Sequence, residues 1–466
     1  MLAIKLILCY NLNSKKCVHT QKRRKYMFPR TKYLKELITL KNNSRVKIIT
    51  GIRRCGKSFL LKNIFKKSLL DSGIKDDHII YLELDDYKNN NLLNPLNLYD
   101  YVKKEIVDQE RYYLIIDEIQ KVIPIINPIL TEGKIIKANN DDEDSITFTT
   151  IILGLMKIEN LDIYITGSNS KFLSSEIMTE FRDRGDEIHV MPLSFKEYCE
   201  GLNINNVEKA FGEYLIYGGM PLTATYEDYA RKEKYLTDLF NLTYHKDVEE
   251  HNGIRNVHEL EILTKVMASN VGNLTNYITI TNTFNSQLKV NINKDTINDY
   301  INHLIDAFII SKVNRIEVRG KKHIGAQYKY YFADSGLRNS RLDFLHHDYG
   351  HMMENIIYNE LKYRGFSVEI GIVEVYSKNK ENKTIRITYE TDFVASKGNN
   401  KYYIQSAYSL YDEEKIEQEK KSLKNINDSF KKIIITRESL PIRRDENGIV
   451  IMGIIDFLLN DDSLDK

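Results

Sequence analysis

The feature that most restricts the fold is an eight-residue pattern between a β-branched run and a helical pattern. The run Val46 to Thr50 leads directly into Gly51-Ile-Arg-Arg-Cys-Gly56-Lys57-Ser58, which matches GxxxxGK[ST]. Its glycines let the backbone curl so that successive N–H groups point at an anion, and the positive end of the following helix dipole adds to the attraction. The pattern predicts a strand, a phosphate-binding loop and a helix.

Two loop residues have separate predicted roles. Lys57 is expected to contact the β- and γ-phosphates, and the Ser58 hydroxyl to ligate Mg²⁺. The sequence contains no NKxD motif, which favours adenine over guanine, so ATP and Mg²⁺ are the predicted cofactors. The residues predicted to bind the nucleotide are Gly51, Arg53, Arg54, Cys55, Gly56, Lys57, Ser58 and Phe59.

An apolar segment that ends in two carboxylates supplies the second half of a nucleotide site. Tyr112 to Asp117 reads as a buried parallel strand, and Glu118 follows it. Such strands deliver acids to the crevice at their carboxyl ends, where the phosphate loop also lies. We expect Asp117 to hold Mg²⁺ and Glu118 to act as the general base on the attacking water.

A third short β-rich segment, Leu161 to Asn169, ends in small and polar residues at the same edge. Its Asn169 offers a donor and an acceptor, which suits a residue that orients the attacking water or senses the γ-phosphate. A plain turn is the alternative interpretation.

Length and composition limit the class of protein. The chain has 466 residues, which predicts roughly three domains, and its 42% hydrophobic and 28% charged residues are ordinary globular values. A formal net charge of +2 means that any nucleic-acid contact needs a local basic patch. The four cysteines lack zinc-ligand spacing, and no apolar run approaches the about 18 residues that span a bilayer. We expect a cytoplasmic protein without a membrane partner.

Five segments together resemble one family. GIRRCGKS, YYLIIDEIQ, IYITGSNSKFLSSEI, FRDRGDEIHVMPLSFKEY and YLIYGGMP, in this order, are similar to the prokaryotic AAA-type ATPases that carry a C-terminal domain of unknown function. The resemblance covers nearly everything after Met27. It implies that Asn169 is the polar sensor and that Arg184 reaches a neighbour's γ-phosphate, which would require self-association. Arg182 is a competing candidate, and an intramolecular salt bridge of Arg184 with Asp183, Asp186 or Glu187 is the alternative.

The segment 259–340 suggests a winged helix. Asn293 is placed to cap a helix, and Ile309 to Val318 and Gln327 to Phe332 are expected to pair as a hairpin. A basic rim on this hairpin makes DNA a candidate partner, with protein docking as the alternative. The rim consists of Arg315, Arg319, Lys321, Lys322 and Lys329.

The last part of the chain resembles a restriction-endonuclease-like core. Its helix carries Glu354 and Glu360, a strand carries Glu390 and Asp392, and the next strand runs through Gln405 to Ala407. Nucleases of this kind gather carboxylates around Mg²⁺ and use a lysine to activate water. Here Gln405 stands where an acid is expected and Ala407 where the lysine is expected, so we expect an inactive scaffold.

We therefore predict an α/β protein: a P-loop NTPase parallel sheet with helices on both faces, then a winged-helix segment and a smaller α/β nuclease-like domain. The predicted function is Mg²⁺-dependent ATP hydrolysis that changes the conformation of a partner- or DNA-binding carboxyl-terminal half. The alternatives are a non-hydrolysing ATP-gated binding protein and an ATP-dependent nuclease. The predicted divisions are an extension outside the fold (1–26), the ATPase domain (27–200), a helical linker or lid (201–258), the winged helix (259–340) and the nuclease-like domain (341–466).

Overall fold

A computed structural model gives the structure of most of the chain. It describes residues 27–139, 142–167, 181–245, 257–289, 292–320, 323–378, 382–409 and 413–466. Two large β-sheets lie in these residues, one in each half of the chain, together with one two-stranded sheet, and helices separate the two large sheets along the chain.

The amino-terminal sheet has five parallel strands in the order β2-β3-β6-β1-β7. All six residues of β3 and of β6 are buried, as expected for parallel strands covered on both faces. Two further short strands, β4 and β5, pair with each other outside this sheet. The strands are β1 (Val46–Thr50), β2 (Ile79–Glu83), β3 (Tyr112–Asp117), β4 (Ile125–Ile126), β5 (Ser145–Ile146), β6 (Leu161–Thr166) and β7 (Gly185–His189).

Helices cover both faces of this sheet. They are α1 (Thr31–Thr39), α2 (Lys57–Phe59), a π-helical segment (Leu60–Phe65), α3 (Lys66–Asp71), α4 (Pro95–Glu105) and α5 (Phe148–Leu155). Side chains alternate along β3, so that Tyr113 and Ile115 join the core with α1 and the π-helical segment. Leu114 and Ile116 join the core on the opposite face with α4 and α5.

A helical region follows. Its helices are α6 (Phe195–Leu202), α7 (Val207–Tyr217), α8 (Pro221–Ala224), α9 (Tyr229–Leu239), a second π-helical segment (Phe240–His245), α10 (Val257–Ser269), α11 (Tyr277–Leu288) and α12 (Lys294–Asp306). The predicted cap of α12 is confirmed, because the Asn293 side chain accepts a hydrogen bond from the Asp295 N–H at 3.2 Å. The apolar stripe of α12 is buried at Ile297, Tyr300, Ile301 and Leu304.

The carboxyl-terminal sheet is mixed, in the order β14-β15-β13-β12-β11-β10-β8-β9. Its strands are β8 (Ile310–Glu317), β9 (His323–Phe332), β10 (Ser367–Lys378), β11 (Thr384–Lys397), β12 (Asn400–Ala407), β13 (Lys431–Thr436), β14 (Arg443–Arg444) and β15 (Val450–Gly453). The helices of this half are α13 (Ser335–Ser340), α14 (Tyr349–Tyr363), α15 (Glu413–Lys424) and α16 (Ile454–Leu459).

The expected hairpin is present as β8 and β9, which pair antiparallel. However, β8 also pairs in parallel with β10, with Ile316 opposite Gly371. One sheet therefore crosses the boundary that the sequence analysis sets at residue 340, because the hairpin supplies two strands to the carboxyl-terminal sheet. The winged helix and the division into domains stay predictions.

The predicted fold class is confirmed: the amino-terminal part is a P-loop parallel sheet with helices on both faces, and the whole chain is mixed α/β. Among the described residues, none of the helices combines the length and the apolar character that crossing a membrane requires.

Candidate nucleotide site

The phosphate loop leaves β1 with a backbone that requires glycine. Gly51 has φ 133° and Gly56 has φ 104°, both in the region that L side chains rarely adopt. A Cβ on Gly51 would lie 2.1 Å from the Val190 carbonyl oxygen, just after β7. The loop therefore packs directly against the chain that leaves the neighbouring strand.

Lys57 is the first residue of α2 and is 5% exposed. Its Nζ donates hydrogen bonds to the Gly51 carbonyl at 2.7 Å and to the Ile52 carbonyl at 3.2 Å. The ammonium group thus lies inside the curl of the loop, among backbone groups that an anion would contact.

The other loop residues differ in exposure. Arg53, Ser58 and Phe59 are half-buried, whereas Arg54 is exposed and has φ 68°. Cys55 is buried, and its Sγ donates a hydrogen bond to the Val190 carbonyl at 3.1 Å. A thiol that packs in this way acts as a small filler of the loop interior.

The first predicted acid lies beside the loop. Asp117 ends β3, is 4% exposed and accepts a hydrogen bond from the Thr166 hydroxyl, and the Ser58 hydroxyl lies beside it. Burial raises the pKa of Asp117, while the two neighbouring hydroxyls counteract that shift. Ser58 and Asp117, the two predicted magnesium ligands, are therefore in contact, since parallel strands end at the same edge.

The second acid is held by the same threonine. Glu118 has a left-handed φ of 56°, and its backbone N–H donates to the Thr166 Oγ1 at 3.2 Å. The Gln120 side-chain amide donates to the Glu118 carboxylate. Thr166, the last residue of β6, thus positions both acids, a role that sequence analysis missed although it considered this strand. The available signal was a hydroxyl residue at the end of the strand expected beside β3.

The other two predicted site residues have different outcomes. Asn169 lies outside the described residues, so its role stays a prediction. Arg184 is exposed and directly precedes β7, whose Gly185 pairs with Val46 at the start of β1. At about 3.3 Å per residue, Arg184 is therefore roughly 15–20 Å along the sheet from the phosphate loop of its own chain.

Two of the acids that could have formed a salt bridge with Arg184 contact other residues. The Asp186 carboxylate lies 2.8 Å from the Arg45 Nε, and the Glu187 carboxylate accepts from the Thr50 hydroxyl at 2.7 Å.

A buried arginine that sequence analysis did not consider holds the phosphate loop to the following helices. Arg30 is 2% exposed and precedes α1. Its guanidinium donates to the Cys55 carbonyl at 3.0 Å, the Met191 carbonyl at 2.5 Å and the Glu197 carboxylate at 2.8 Å. Glu197 also accepts from the Tyr363 hydroxyl of α14 at 3.3 Å. Two side chains thus connect the loop to the carboxyl-terminal half.

The MPLSFKEY and YLIYGGMP segments also meet beside the loop. The Leu193 N–H donates to the Gly219 carbonyl at 2.8 Å, and the Gly219 N–H donates to Asp334 at 2.6 Å. Burial raises the pKa of Asp334 to about 6. Pro221, the first residue of α8, lies 3.8 Å from the position of a Cβ on Gly56. These two segments are therefore packed beside the phosphate loop.

The basic rim differs from the prediction at Lys329, which is 3% exposed and buried against carboxylates rather than on the surface. The prediction was wrong at this residue because Lys329 faces α14 and β11 across the sheet. Arg315 is half-buried and donates to Gln327 at 2.7 Å, whereas Arg319 is exposed. The remaining two rim residues, Lys321 and Lys322, lie outside the described residues.

Family comparisons agree with this site. A family described as an AAA domain matches residues 43–199, and a family described as a domain of unknown function (DUF8612) matches residues 208–347. An uncharacterized protein of Haemophilus influenzae is 31% identical over 440 residues, which are 93% of this chain and 99% of that protein. A protein of Methanocaldococcus jannaschii is 28% identical over 397 residues, which are 83% of this chain and 79% of that protein.

Solved structures give weaker similarity. The Aeropyrum pernix ORC1 protein in complex with DNA is 12% identical with a TM-score of 0.29, covering 68% of this chain and 93% of that chain. Cdc6p from Pyrobaculum aerophilum is 10% identical with a TM-score of 0.28, and the match covers 73% of this chain and 97% of that chain. Scores this low carry no argument. The 31% identity with the Haemophilus influenzae protein, by contrast, extends over 93% of this chain. The chain therefore belongs to the same family as that protein, and its residues 43–199 are an AAA-type, ATP-binding P-loop domain.

Proposed function

We propose that this chain hydrolyses ATP with Mg²⁺ and uses the reaction to change the conformation of its carboxyl-terminal half. The observation that carries the proposal is the contact between the two halves of the site. The Ser58 hydroxyl, next to Lys57 in the loop, lies beside the buried Asp117 at the end of β3, with Glu118 following it. Binding groups and an acid suited to general-base work therefore lie at one edge of one sheet.

The donors near the loop fit Mg²⁺, which prefers oxygen ligands. Ser58 supplies a hydroxyl oxygen and Asp117 a carboxylate oxygen, and they already contact each other. A bound Mg²⁺ would neutralise charge on the β- and γ-phosphates. Ser58 and Asp117 are the residues that would hold it.

The chain's own residues would do the remaining work. Phosphate oxygens would replace the Gly51 and Ile52 carbonyls as acceptors for the Lys57 ammonium group, which already lies inside the loop. The Glu118 carboxylate would accept a proton from the attacking water. Thr166 holds the backbone of Glu118, which would limit the reorganisation of this acid when ATP binds.

Single-turnover hydrolysis separates this proposal from a non-hydrolysing ATP-gated protein. Glu118→Gln is expected to bind ATP as the wild type does and to hydrolyse it at least about 10²-fold more slowly, the loss typical of a general base. Lys67→Ala, an exposed lysine of α3, is the matched surface control. Equal turnover in the wild type and in Glu118→Gln would refute the assigned role, and absence of turnover in the wild type would favour the non-hydrolysing alternative.

Self-association is proposed for Arg184. This exposed arginine is too far along the sheet to contact phosphate in its own chain, which supports a role at a neighbour's site. Mixing two inactive variants tests it. Lys57→Ala keeps Arg184, and Arg184→Ala keeps the loop, so a mixture should recover ATP turnover that neither variant has alone. Wild-type turnover by Arg184→Ala would exclude the proposal.

The structure supports DNA binding by the hairpin less than the sequence does, because fewer of its basic residues are exposed than expected. Lys329 is buried, and Arg319 is the exposed arginine that remains on the described part of the rim. If DNA contacts this surface, Arg319→Ala should weaken binding to a labelled duplex and reduce its dependence on salt. Equal anisotropy titrations for both proteins would remove Arg319 from the contact.

A further inference from the structure

A buried lysine lies at the centre of the carboxylates that resemble a nuclease site. Lys329 of β9 directs its Nζ at Glu354 of α14 (2.8 Å), Glu390 of β11 (2.7 Å) and Asp392 of β11 (3.4 Å). The side chains of Lys329, Glu354 and Asp392 are 4%, 8% and 10% exposed, and that of Glu390 is 30% exposed. Three elements distant in sequence therefore converge on one ammonium group.

The number of partners matches the chemistry of lysine. An ammonium group has three N–H donors and no acceptor, and here three carboxylates surround it. Two of the carboxylates have a further donor: the Tyr331 hydroxyl donates at 2.5 Å to the same Glu354 oxygen as Lys329, and the Ser406 N–H donates at 2.8 Å to the other oxygen of Asp392. One ammonium group thus offsets part of the charge of the three carboxylates, and neutral donors stabilise two of them.

The neighbouring strand carries neither the acid nor the lysine that the nuclease resemblance leads us to expect. Gln405 of β12 stands near Asp392, and its side-chain oxygen accepts from the Asp392 N–H at 3.4 Å. Glu360, the second acid of α14, does not join this cluster and instead pairs with Arg364 at 2.7 Å. A divalent ion bound by oxygen ligands at about 2.0–2.6 Å would overlap the space of the Lys329 Nζ and be repelled by its charge.

We propose that the Lys329 ammonium group occupies the position of the divalent ion, so that this centre holds β9, α14 and β11 together and binds no metal. The Mg²⁺ that the nuclease resemblance implies does not fit the residues present. A side chain stands in place of an exchangeable ion, so the contact between the hairpin and α14 does not depend on a metal.

A Mn²⁺ titration of the nucleotide-free full-length protein, followed by the electron paramagnetic resonance of the free ion, tests the proposal. The wild type and Asp392→Asn are expected to bind the same number of ions. Loss of one bound Mn²⁺ in Asp392→Asn would overturn the proposal, as would Mn²⁺-dependent plasmid cleavage that is lost in this variant.

Removing the lysine gives the second test. Lys329→Ala is expected to have a lower melting temperature than the wild type, and millimolar Mn²⁺ is expected to raise that melting temperature. The control is Lys312→Ala, which changes an exposed lysine of β8 and should behave as the wild type does. A folded Lys329→Ala that Mn²⁺ stabilises no more than the wild type would contradict the proposal. If Lys329→Ala does not fold, the comparison of the wild type with Asp392→Asn decides alone.

Discussion

The sharpest prediction concerns Thr166, because this residue positions both acids of the candidate site. Its hydroxyl donates to Asp117, which is 4% exposed, and accepts from the Glu118 N–H at 3.2 Å. Thr166→Val keeps the branched shape and removes both hydrogen bonds. A hydrogen bond to a charged group contributes about 1.5–3 kcal/mol. If that energy is lost at the transition state, single-turnover hydrolysis slows about 10- to 150-fold.

Thr166→Ser is the matched control, since it keeps the hydroxyl and loses only a methyl group. We expect its turnover to lie within about threefold of the wild type, a difference of less than 1 kcal/mol. The assay is single-turnover release of phosphate from labelled ATP, with calorimetry to verify that each variant binds the nucleotide. Wild-type turnover in Thr166→Val would refute the reasoning, and so would equal impairment of the two variants, because packing rather than hydrogen bonding would then explain the effect.

Three further predictions concern buried charges. Asp162→Ala leaves the Lys47 ammonium group, which is 0% exposed, without its carboxylate, and should lower the free energy of unfolding by about 3–5 kcal/mol. The double variant Lys47→Met/Asp162→Leu should recover most of this loss in chemical unfolding. A double variant as unstable as Asp162→Ala would contradict the prediction. Burial raises the pKa of Asp334 from 3.8 to about 6, so the folded state keeps a proton that the unfolded state releases, and stability falls as pH rises through this window. Between pH 4 and pH 7, calorimetry should therefore find that the free energy of unfolding of the wild type falls by up to about 3 kcal/mol relative to that of Asp334→Asn. The same pH dependence in both proteins would contradict this prediction. Arg30→Met should weaken ATP binding about tenfold or more and lower the melting temperature, because it removes the donor to the loop and leaves Glu197 unpaired. Arg30→Met/Glu197→Gln should melt higher than the single variant, and a melting temperature no higher would exclude the unpaired charge as the cause.

The parts of the site that can be predicted from the sequence are those whose conformation depends on neighbouring residues in the chain. Gly51 and Gly56 reveal a loop because their backbone angles exclude other residues, and Asp117 is placed by the apolar strand before it. Since parallel strands end at one edge, the contact between Ser58 and Asp117 follows from strand order rather than from nearness in the sequence.

The residues that sequence analysis missed or misplaced depend on long-range contacts. Arg30 and its partner Glu197 are 167 residues apart, and each alone looks like a surface charge. Lys329 lies in a hairpin that resembles an exposed basic rim, and its burial follows from the pairing of β8 with β10, which brings the hairpin beside Asp392, 63 residues away. Charge and local pattern cannot reveal burial that depends on which strands become neighbours.

The most direct test of the central claim is calorimetric titration of the full chain with ATP in saturating Mg²⁺. The account predicts one saturable site per chain that Lys57→Ala abolishes and Lys67→Ala retains, because the first lysine lies inside the loop and the second is exposed. A folded wild type without saturable ATP binding, or equal affinity in Lys57→Ala, would contradict it.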